Sequence, residues 1–512
     1  MNSISYQETH KLEKEIYDEI HHVHRKIKRL GFFTSTVENI TQTNKNYQVI
    51  FKLGKRTDEI LIIIPNDINF KKTSLKVDSL KLKITELDNF TSLLMSELDS
   101  EGLSFSEISF KNPKYIQQTL VVELKISQSK KRTINKVVVK GYENFPNSFL
   151  KNYFQIIENT TFSKEKLKEI SSLTKLLSFV KEKKTPEVLF KKDSTVLYLF
   201  LDKLKTNSID AIINIASKEN GGGTLLNGNL DLKLNNIFNT GENFELFWNR
   251  VAEEKSQFRI KSTIPYLFNS SISTKFKFDI YRQDSTFLNT KFDFELDIHL
   301  NSKSKLSLTY TTENSNYLLD TNTNLDSYSN YFLGAGYEIT LSSFSELYDN
   351  KALFTINPTF GKRTSDITDR QFKLQFNGIF NATISPRSYL YIKNETGFLD
   401  SKNLLTNELF RIGGVNSIRG FNEQSIFTSR FSYFNLEYRY LTSRTSYLHS
   451  ISDIGFVKTL NASNETVLGL GIGYLFTVKN SQVNLAYVLG KSSANSFTFN
   501  NSKLNIRFKS FF

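Results

Sequence analysis

The sequence predicts small α+β repeats followed by an all-β transmembrane antiparallel barrel of about 16 strands. Three observations carry this. The spacing of apolar residues changes character near Asn207. Beyond that point, polar and apolar residues alternate almost to the C-terminus, the period that gives a strand two different faces. Before it, a helix–strand pattern occurs, and then occurs again.

The first repeat opens on a helix over 12–30. Leu12, Ile16, Ile20, Val23, Ile27 and Leu30 fall at three- and four-residue spacing, one stripe of a helix. Gly31 ends it, and strands come after it at 34–41 and 47–53. The order returns with a helix at 86–101, Gly102, and strands at 104–110 and 119–127. Lys55-Arg56-Thr57 and Lys131-Arg132-Thr133 close the two repeats, each ahead of an apolar strand, at 60–64 and 134–139. Such self-similarity marks an internal repeat. A third unit has a strand at 137–140, Gly141, a helix after Pro146, a helix at 164–179 with Ser163 as its cap, and strands at 188–190 and 196–201. The predicted boundaries are 1–57, 58–132, 133–206 and a barrel over 207–512. The first unit begins at its helix and lacks an opening strand.

In the barrel region, Lys275-Phe276-Lys277-Phe278-Asp279-Ile280 and Lys291-Phe292-Asp293-Phe294-Glu295-Leu296 show the alternation at its cleanest. Clusters of Asn, Gly, Ser and Asp separate the segments, as turns require. With 44 Phe and 23 Tyr, the composition favours strands. No apolar run approaches the roughly 20 residues of a membrane helix. An even set of strands closed on itself leaves no edge facing lipid. The last segment, 504–512, alternates and ends in Phe; Phe508 and Phe512 sit on it.

Several functions are excluded. The net charge is +14, but Lys and Arg are spread among Glu and Asp, where a nucleic-acid binder would gather them on one face. They read as solvated surface with some attraction to anionic lipid. There is no cysteine, hence no thiolate metal site or cysteine nucleophile. His21, His22 and His24 read as a solvated helix face. Gly221-Gly222-Gly223 lacks the lysine and helix of a phosphate loop and reads as a hairpin turn. Gly469-Leu470-Gly471-Ile472-Gly473 lies in an alternating strand, where glycine permits close backbone approach. No Gly-x-Ser-x-Gly elbow or paired-carboxylate site appears. The expectation is a protein without catalytic residues, metal or cofactor. The first 30 residues show no signal peptide, which predicts that the natural start lies upstream.

Between the eleventh and twelfth predicted strands runs a long segment, 400–429. It holds Arg411-Ile412-Gly413-Gly414-Val415-Asn416-Ser417-Ile418-Arg419-Gly420-Phe421. A long loop with glycine-shaped turns is often functional; the bland alternative is an extracellular loop with Arg419 in water.

Two resemblances sharpen these readings. The strand–helix–helix–strand–strand order of the third unit resembles the POTRA domain, a periplasmic module preceding certain outer-membrane barrels. The string from Gly413 to Phe421 is similar to the loop motif of the BamA/TamA superfamily, which includes assembly factors and two-partner secretion translocators. The resemblance implies that the loop folds into the lumen and that Arg419, flanked by Ile418, Gly420 and Phe421, pairs with acids of neighbouring strands. Glu437 and Asp453 match those acidic positions. It also implies a weak seam between 209–217 and 504–512, and an outer-membrane location with the POTRA units in the periplasm. The implied function is insertion of unfolded outer-membrane proteins, with periplasmic chaperones, accessory lipoproteins and outer-membrane lipid as partners and no nucleic acid. The alternative is a two-partner-type translocator exporting one client. That type normally has two POTRA units and a plug helix, so three apparent units favour the first reading. A passive pore needs neither the repeats nor the loop.

Overall fold

The computed structural model describes residues 4–44, 46–65, 78–116, 119–192, 194–217, 224–251, 255–318, 325–342, 350–459, 464–493, 496–498 and 502–512. Gly221-Gly222-Gly223 lie outside them. The chain forms two compact units. One takes 1–137, 158–169 and 188–197; the other takes 138–157, 170–187 and 198–512.

In the first unit, helix Glu13–Arg29 buries Ile20 and Ile27. Glu13 and Glu15 lie in its first turn, and Lys26, Lys28 and Arg29 in its last, each sign where the helix dipole favours it. Gly31 stops it at φ +100°. The Gly31 N–H donates to Lys28 O (3.0 Å) and the Phe32 N–H to Ile27 O (3.3 Å), a Schellman ending that satisfies the last carbonyls. Helix Leu87–Ser100 ends the same way. Gly102 has φ +87°, and its N–H donates to Asp99 O while that of Leu103 donates to Leu98 O, both at 2.9 Å.

The repeat also covers the chain beyond each helix end. Gly31 O accepts from the Thr57 N–H, and Gly102 O accepts from the Arg132 N–H, both at 2.9 Å. The segments Lys55-Arg56-Thr57 and Lys131-Arg132-Thr133 are thus where the chain returns to the helix end, one position apart in register. A Cβ on Gly31 would stand 2.3 Å from Thr57 O, so no larger residue fits.

After the first helix, Thr36–Thr43 and Asn46–Lys52 pair as a two-stranded hairpin. The second helix has a four-stranded sheet, in the order Ser79–Lys83, Glu59–Ile63, Thr119–Ser127, Glu107–Ile116. Its central pair is parallel, and Ile60, Ile62, Leu94, Leu98, Leu120 and Leu124 form the core beneath it. Ser79–Lys83 is an edge strand that periodicity alone did not mark. Further on, Val180–Phe190, Thr195–Lys203 and Lys136–Gly141 make a three-stranded sheet in that order. Ser163 does cap the helix Lys164–Thr174, its Oγ accepting from the Lys166 N–H at 2.9 Å. That helix is shorter than its apolar stripe predicts, because the chain turns into Val180–Phe190 earlier than expected.

The second unit is dominated by a closed antiparallel barrel. Its sixteen strands, counted in chain order, are Ser208–Ser217, Thr224–Asn235, Asn243–Val251, Lys255–Ile264, Ile272–Gln283, Phe287–His299, Ser304–Tyr317, Tyr328–Ser342, Asn350–Thr364, Thr368–Ser385, Ser388–Ser401, Arg430–Ser443, Ser446–Lys458, Glu465–Val478, Ser481–Lys491 and Lys503–Phe511. The alternation sorts side chains to the two faces. Phe276, Phe278 and Phe292 are exposed on the outside. Between them, Lys275 lies opposite Glu295, Lys277 opposite Asp293 and Asp279 opposite Lys291, an ion ladder on the inside. Outward apolar side chains such as Leu308, Phe434, Phe456, Leu470 and Ile506 continue the band. A contiguous apolar surface of that kind suits a lipid surround.

The rim carries its own network. The Tyr142 hydroxyl donates to Asn239 Oδ1 (2.7 Å) and accepts from Asn236 Nδ2 (2.8 Å). Phe149 meets the Tyr266 ring edge-on at 5.0 Å. In the turn before strand three, burial pushes the Glu242 carboxyl up. Hydrogen bonds from the Thr240 hydroxyl and the Phe238 and Thr240 N–H groups outweigh it and hold the group below the usual range.

The seam between the first and last strands differs from the junction on the other side of strand one. Strands one and two are in register at ten positions from Ser208 to Ser217. Among the described residues, strands one and sixteen are paired at Ser208 with Phe511 and at Ile209 with Ser510.

Candidate functional site

Strands eleven and twelve pair directly, and the chain between them, 402–429, turns inward. Its middle is a short hairpin, Phe410–Ile412 against Ile426–Thr428. Beyond it, Gly413 and Gly414 take φ values of +105° and +101° and start a tight turn. The Gly413 N–H donates to Ser417 Oγ (2.7 Å), and the Gly414 N–H to Ile418 O (3.0 Å). That turn presents Ile418, Arg419 and Gly420 to the wall formed by strands twelve to fifteen.

Arg419 enters a carboxylate cage. Its backbone N–H and its Nε donate to Asp453 Oδ2, at 2.8 and 2.9 Å, and its Nη2 donates to Asp453 Oδ1 at 2.6 Å. Its Nη1 donates to Glu437 Oε1. The other oxygen of Glu437 accepts from Arg439 Nε at 2.8 Å, and the Arg439 guanidinium lies 4.1 Å from the Tyr391 ring centroid. Asp453 is wholly buried. Two cations therefore face two anions, with most donors and acceptors used. A buried charge is tolerable only when paired and hydrogen-bonded in this way. The fork of the guanidinium also fixes the orientation of the loop tip.

The wall is shaped to receive the backbone at this point. A Cβ on Gly469 would lie 2.3 Å from Arg419 O, and one on Gly490 would lie 2.5 Å from Gly420 O. The loop thus rests on hydrogen atoms of strands fourteen and fifteen, as the strand glycines of 469–473 suggest. Around it, Ile412, Ile418, Phe431, Tyr433, Val457 and Val467 form an apolar cluster, with Phe421 packed on its edge.

A second anchor holds the other limb of the loop. Arg363, from strand nine, is almost wholly buried. Its Nη1 donates to Asn403 O and to Glu408 Oε1, both at 2.6 Å, and its Nη2 donates to Asp369 Oδ2 at 2.8 Å. Next to it, Asn407 donates to Ser315 Oγ and Asp326 O, both at 2.7 Å. Sequence reading missed this anchor, since Arg363 carries no motif. One signal was present: Arg363 and Asp369 flank a tight turn and fall opposite each other when the hairpin is registered.

Of the residues singled out from sequence, the structure brings Gly413, Gly414, Ile418, Arg419, Gly420 and Phe421 together with Glu437 and Asp453 inside the barrel. Phe508 and Phe512 lie elsewhere, on or beside the last strand. Phe508 pairs with Val483 of strand fifteen. The Phe512 N–H donates to Asn207 O at 2.9 Å, which ties the end of the chain to the start of strand one. Among the described residues, no group of His, Asp and Glu is arranged to hold a metal.

No family model and no curated protein matches the sequence. Solved structures do. CdiB from Acinetobacter baumannii is 14% identical, with a TM-score of 0.56 and coverage of 98% of each chain. CdiB from Escherichia coli, also 14% identical, has a TM-score of 0.54 and covers 98% of this chain and 97% of its own. The chain has the fold of these two CdiB structures. BamA from Haemophilus ducreyi lacking POTRA domains 1–3 also matches, at 14% identity and a TM-score of 0.47, over 88% of this chain and 99% of that one. The shared fold consists of mixed α/β units leading into one closed sixteen-strand barrel.

Proposed function

We propose that this protein inserts other proteins into the outer membrane. Its POTRA-like units lie in the periplasm and take up unfolded barrel precursors, delivered by chaperones or accessory lipoproteins. Exposed sheet edges suit that task, because strand addition uses backbone hydrogen bonds and asks little of the client's sequence. The barrel seam then receives the client. The observation that carries this reading is the seam itself, zipped at two positions near one end and tied there by Phe512. Backbone groups left unpaired within lipid cost several kcal/mol each, so a strand supplied by a client is stabilised there. The docked loop, held by Arg419 and Arg363, stiffens the wall up to strand fifteen, the neighbour of the last strand. The role needs no catalytic chemistry and no cofactor.

A two-partner-type translocator is the second reading. It is favoured by the two N-terminal sheets of three or more strands found among the described residues, the number of POTRA units normal for that type. Depletion followed by quantitation of outer-membrane proteins separates the two. General loss of barrel proteins supports insertion. Loss of a single exported client with normal barrel levels rejects insertion in favour of export.

A further inference from the structure

The barrel wall has a weak line besides the seam. Strands eight and nine hold register from Ser329 with Thr364 to Gly334 with Thr359, and again from Tyr337 with Ile356 to Leu341 with Ala352. Between these stretches Ala335 and Gly336 stand opposite Pro358 and Asn357, and among the described residues no ladder pairing joins them. The junctions on either side are unbroken at this level. Strand seven pairs Leu308 with Ala335 and Ser307 with Gly336, and strand ten pairs Gln375 with Asn357 and Leu374 with Pro358.

The residue types explain the gap. Proline has no N–H to give a ladder, and it belongs on edge strands or at bulges. A closed barrel has no edge, yet Pro358 lies within strand nine, where among the described residues no other barrel strand holds a proline. Across from it, Gly334 lets the two backbones approach closely. A Cβ there would lie 2.5 Å from Pro358 O and 2.4 Å from Thr359 Cγ2. The side-chain bond that spans the gap, from Thr309 Oγ1 to Asn357 Oδ1, is long at 3.4 Å. Strands twelve and thirteen have an interruption of another kind, at Glu437 and Tyr438. There the Tyr438 N–H donates to Ser450 Oγ (3.0 Å), and Arg419 and Arg439 pin Glu437.

Position gives the gap its meaning. The junction leaves strands one to eight on one side and nine to sixteen on the other, so it lies directly opposite the seam. When a ring is pried open, the bending moment vanishes at the opening and is greatest on the far side. An unbroken ladder there would have to strain; this one is already interrupted. Unpaired backbone within lipid is costly, and easier bending is what that cost obtains. At its loop end the junction is clasped. Tyr328 of strand eight donates to Asn407 O (3.2 Å), and Arg363 of strand nine holds the adjoining Glu408. We propose that the junction of strands eight and nine is a hinge, on which the two halves of the barrel swing when the seam parts. This rests on the seam receiving a client, as proposed above.

The chain has no cysteine, so spin labels can be placed cleanly at Ala211→Cys on strand one and Ile506→Cys on strand sixteen, both exposed positions. Pulsed electron-spin distances, measured on the full chain in dilauroylphosphatidylcholine nanodiscs, then read the seam. The parent should show a short and a long population. Pro358→Leu supplies the missing N–H and stays apolar. It should cut the ratio of long to short about fivefold, the net worth of one backbone hydrogen bond that opening must now break. Gly336→Ala, on the facing strand, should cut it less. Heat-modifiable gel migration verifies that each variant is folded. Amide exchange reads the gap without any seam movement: Ala335–Gly336 should exchange several-fold faster than their partners Ser307–Leu308, and Pro358→Leu should slow them. A long population unchanged in both variants, or equal exchange on strands seven and eight, overturns the hinge and leaves the seam reading standing. A parent with the short population alone overturns the seam reading, and the hinge with it.

Discussion

Two arginines hold the lumenal loop, and they do so from opposite directions. Arg419 belongs to the loop and reaches the wall; Arg363 belongs to the wall and reaches the loop. Each ends between two carboxylates, and each is nearly lost to solvent. Their surroundings differ. The Arg419 tip also rests on Gly469 and Gly490 and inside an apolar cluster. The Arg363 limb carries a run of polar contacts, those of Asn403, Asn407 and Glu408. The same ion chemistry thus serves a packed landing site at one end and a hydrogen-bonded strap at the other. The difference teaches that the two ends of the loop should come loose separately.

The largest effect belongs to Asp453→Ala. It strips three donors of Arg419 of their acceptor and leaves a buried cation half paired, at a cost of about 3–5 kcal/mol. Protease cleavage within 410–428 should appear and the heat-modification midpoint should fall. If cleavage stays at the parent level, Arg419 does not hold the tip. Arg363→Ala comes next, at about 3 kcal/mol, because Glu408 keeps Gln371 and the Leu405 N–H, and Asp369 keeps Asn403. New cleavage should be confined to 402–409. Cleavage spreading to 418–420 would show that the two anchors act as one, and the contrast between them would collapse.

Gly469→Val tests packing without touching an ion pair. Its Cβ would press on Arg419 O, and overpacking of this kind costs about 1–3 kcal/mol. Cleavage near 418–420 should rise while the 402–409 limb stays protected; an unaltered tip would show that the glycine floor yields freely. The smallest effect is expected for Arg430→Ala. Its pair with Asp400, at 3.3 Å, is well exposed, and such pairs contribute within about 1 kcal/mol. A larger shift in the heat-modification midpoint would mean that burial is not what separates the strong pairs from the weak.

The sequence made one anchor legible and hid the other. Arg419 sits in a compact motif, and Glu437 and Asp453 come within the next two strands, so chain order and spatial order agree. Arg363 meets Glu408 on the loop, 45 residues further along the chain, a contact that no local pattern announces. Its pairing with Asp369 could be read only by registering a hairpin. The barrel was legible because alternation persists over many segments, and the ladder Lys275–Glu295, Lys277–Asp293 is the same pattern seen in cross-section. Gly31 and Gly102 marked two helix ends, since positive φ leaves few other choices. The strand Ser79–Lys83 escaped because five residues of alternation cannot be told from the approach to a helix. The apolar stripe of 164–179 outruns the helix Lys164–Thr174 because Leu177 and Phe179 continue it, although they serve the core from the turn beyond.

The glycine floor bears on what the Arg-Gly-Phe string can mean elsewhere. Grafted onto a foreign barrel with valine or leucine at the places of Gly469 and Gly490, the same nine residues would have nowhere to land, and the guanidinium would stop short of its acids. The motif is one half of a lock whose other half lies in strands fourteen and fifteen, scattered through ordinary-looking alternation, so a search for distant kin should score both halves together.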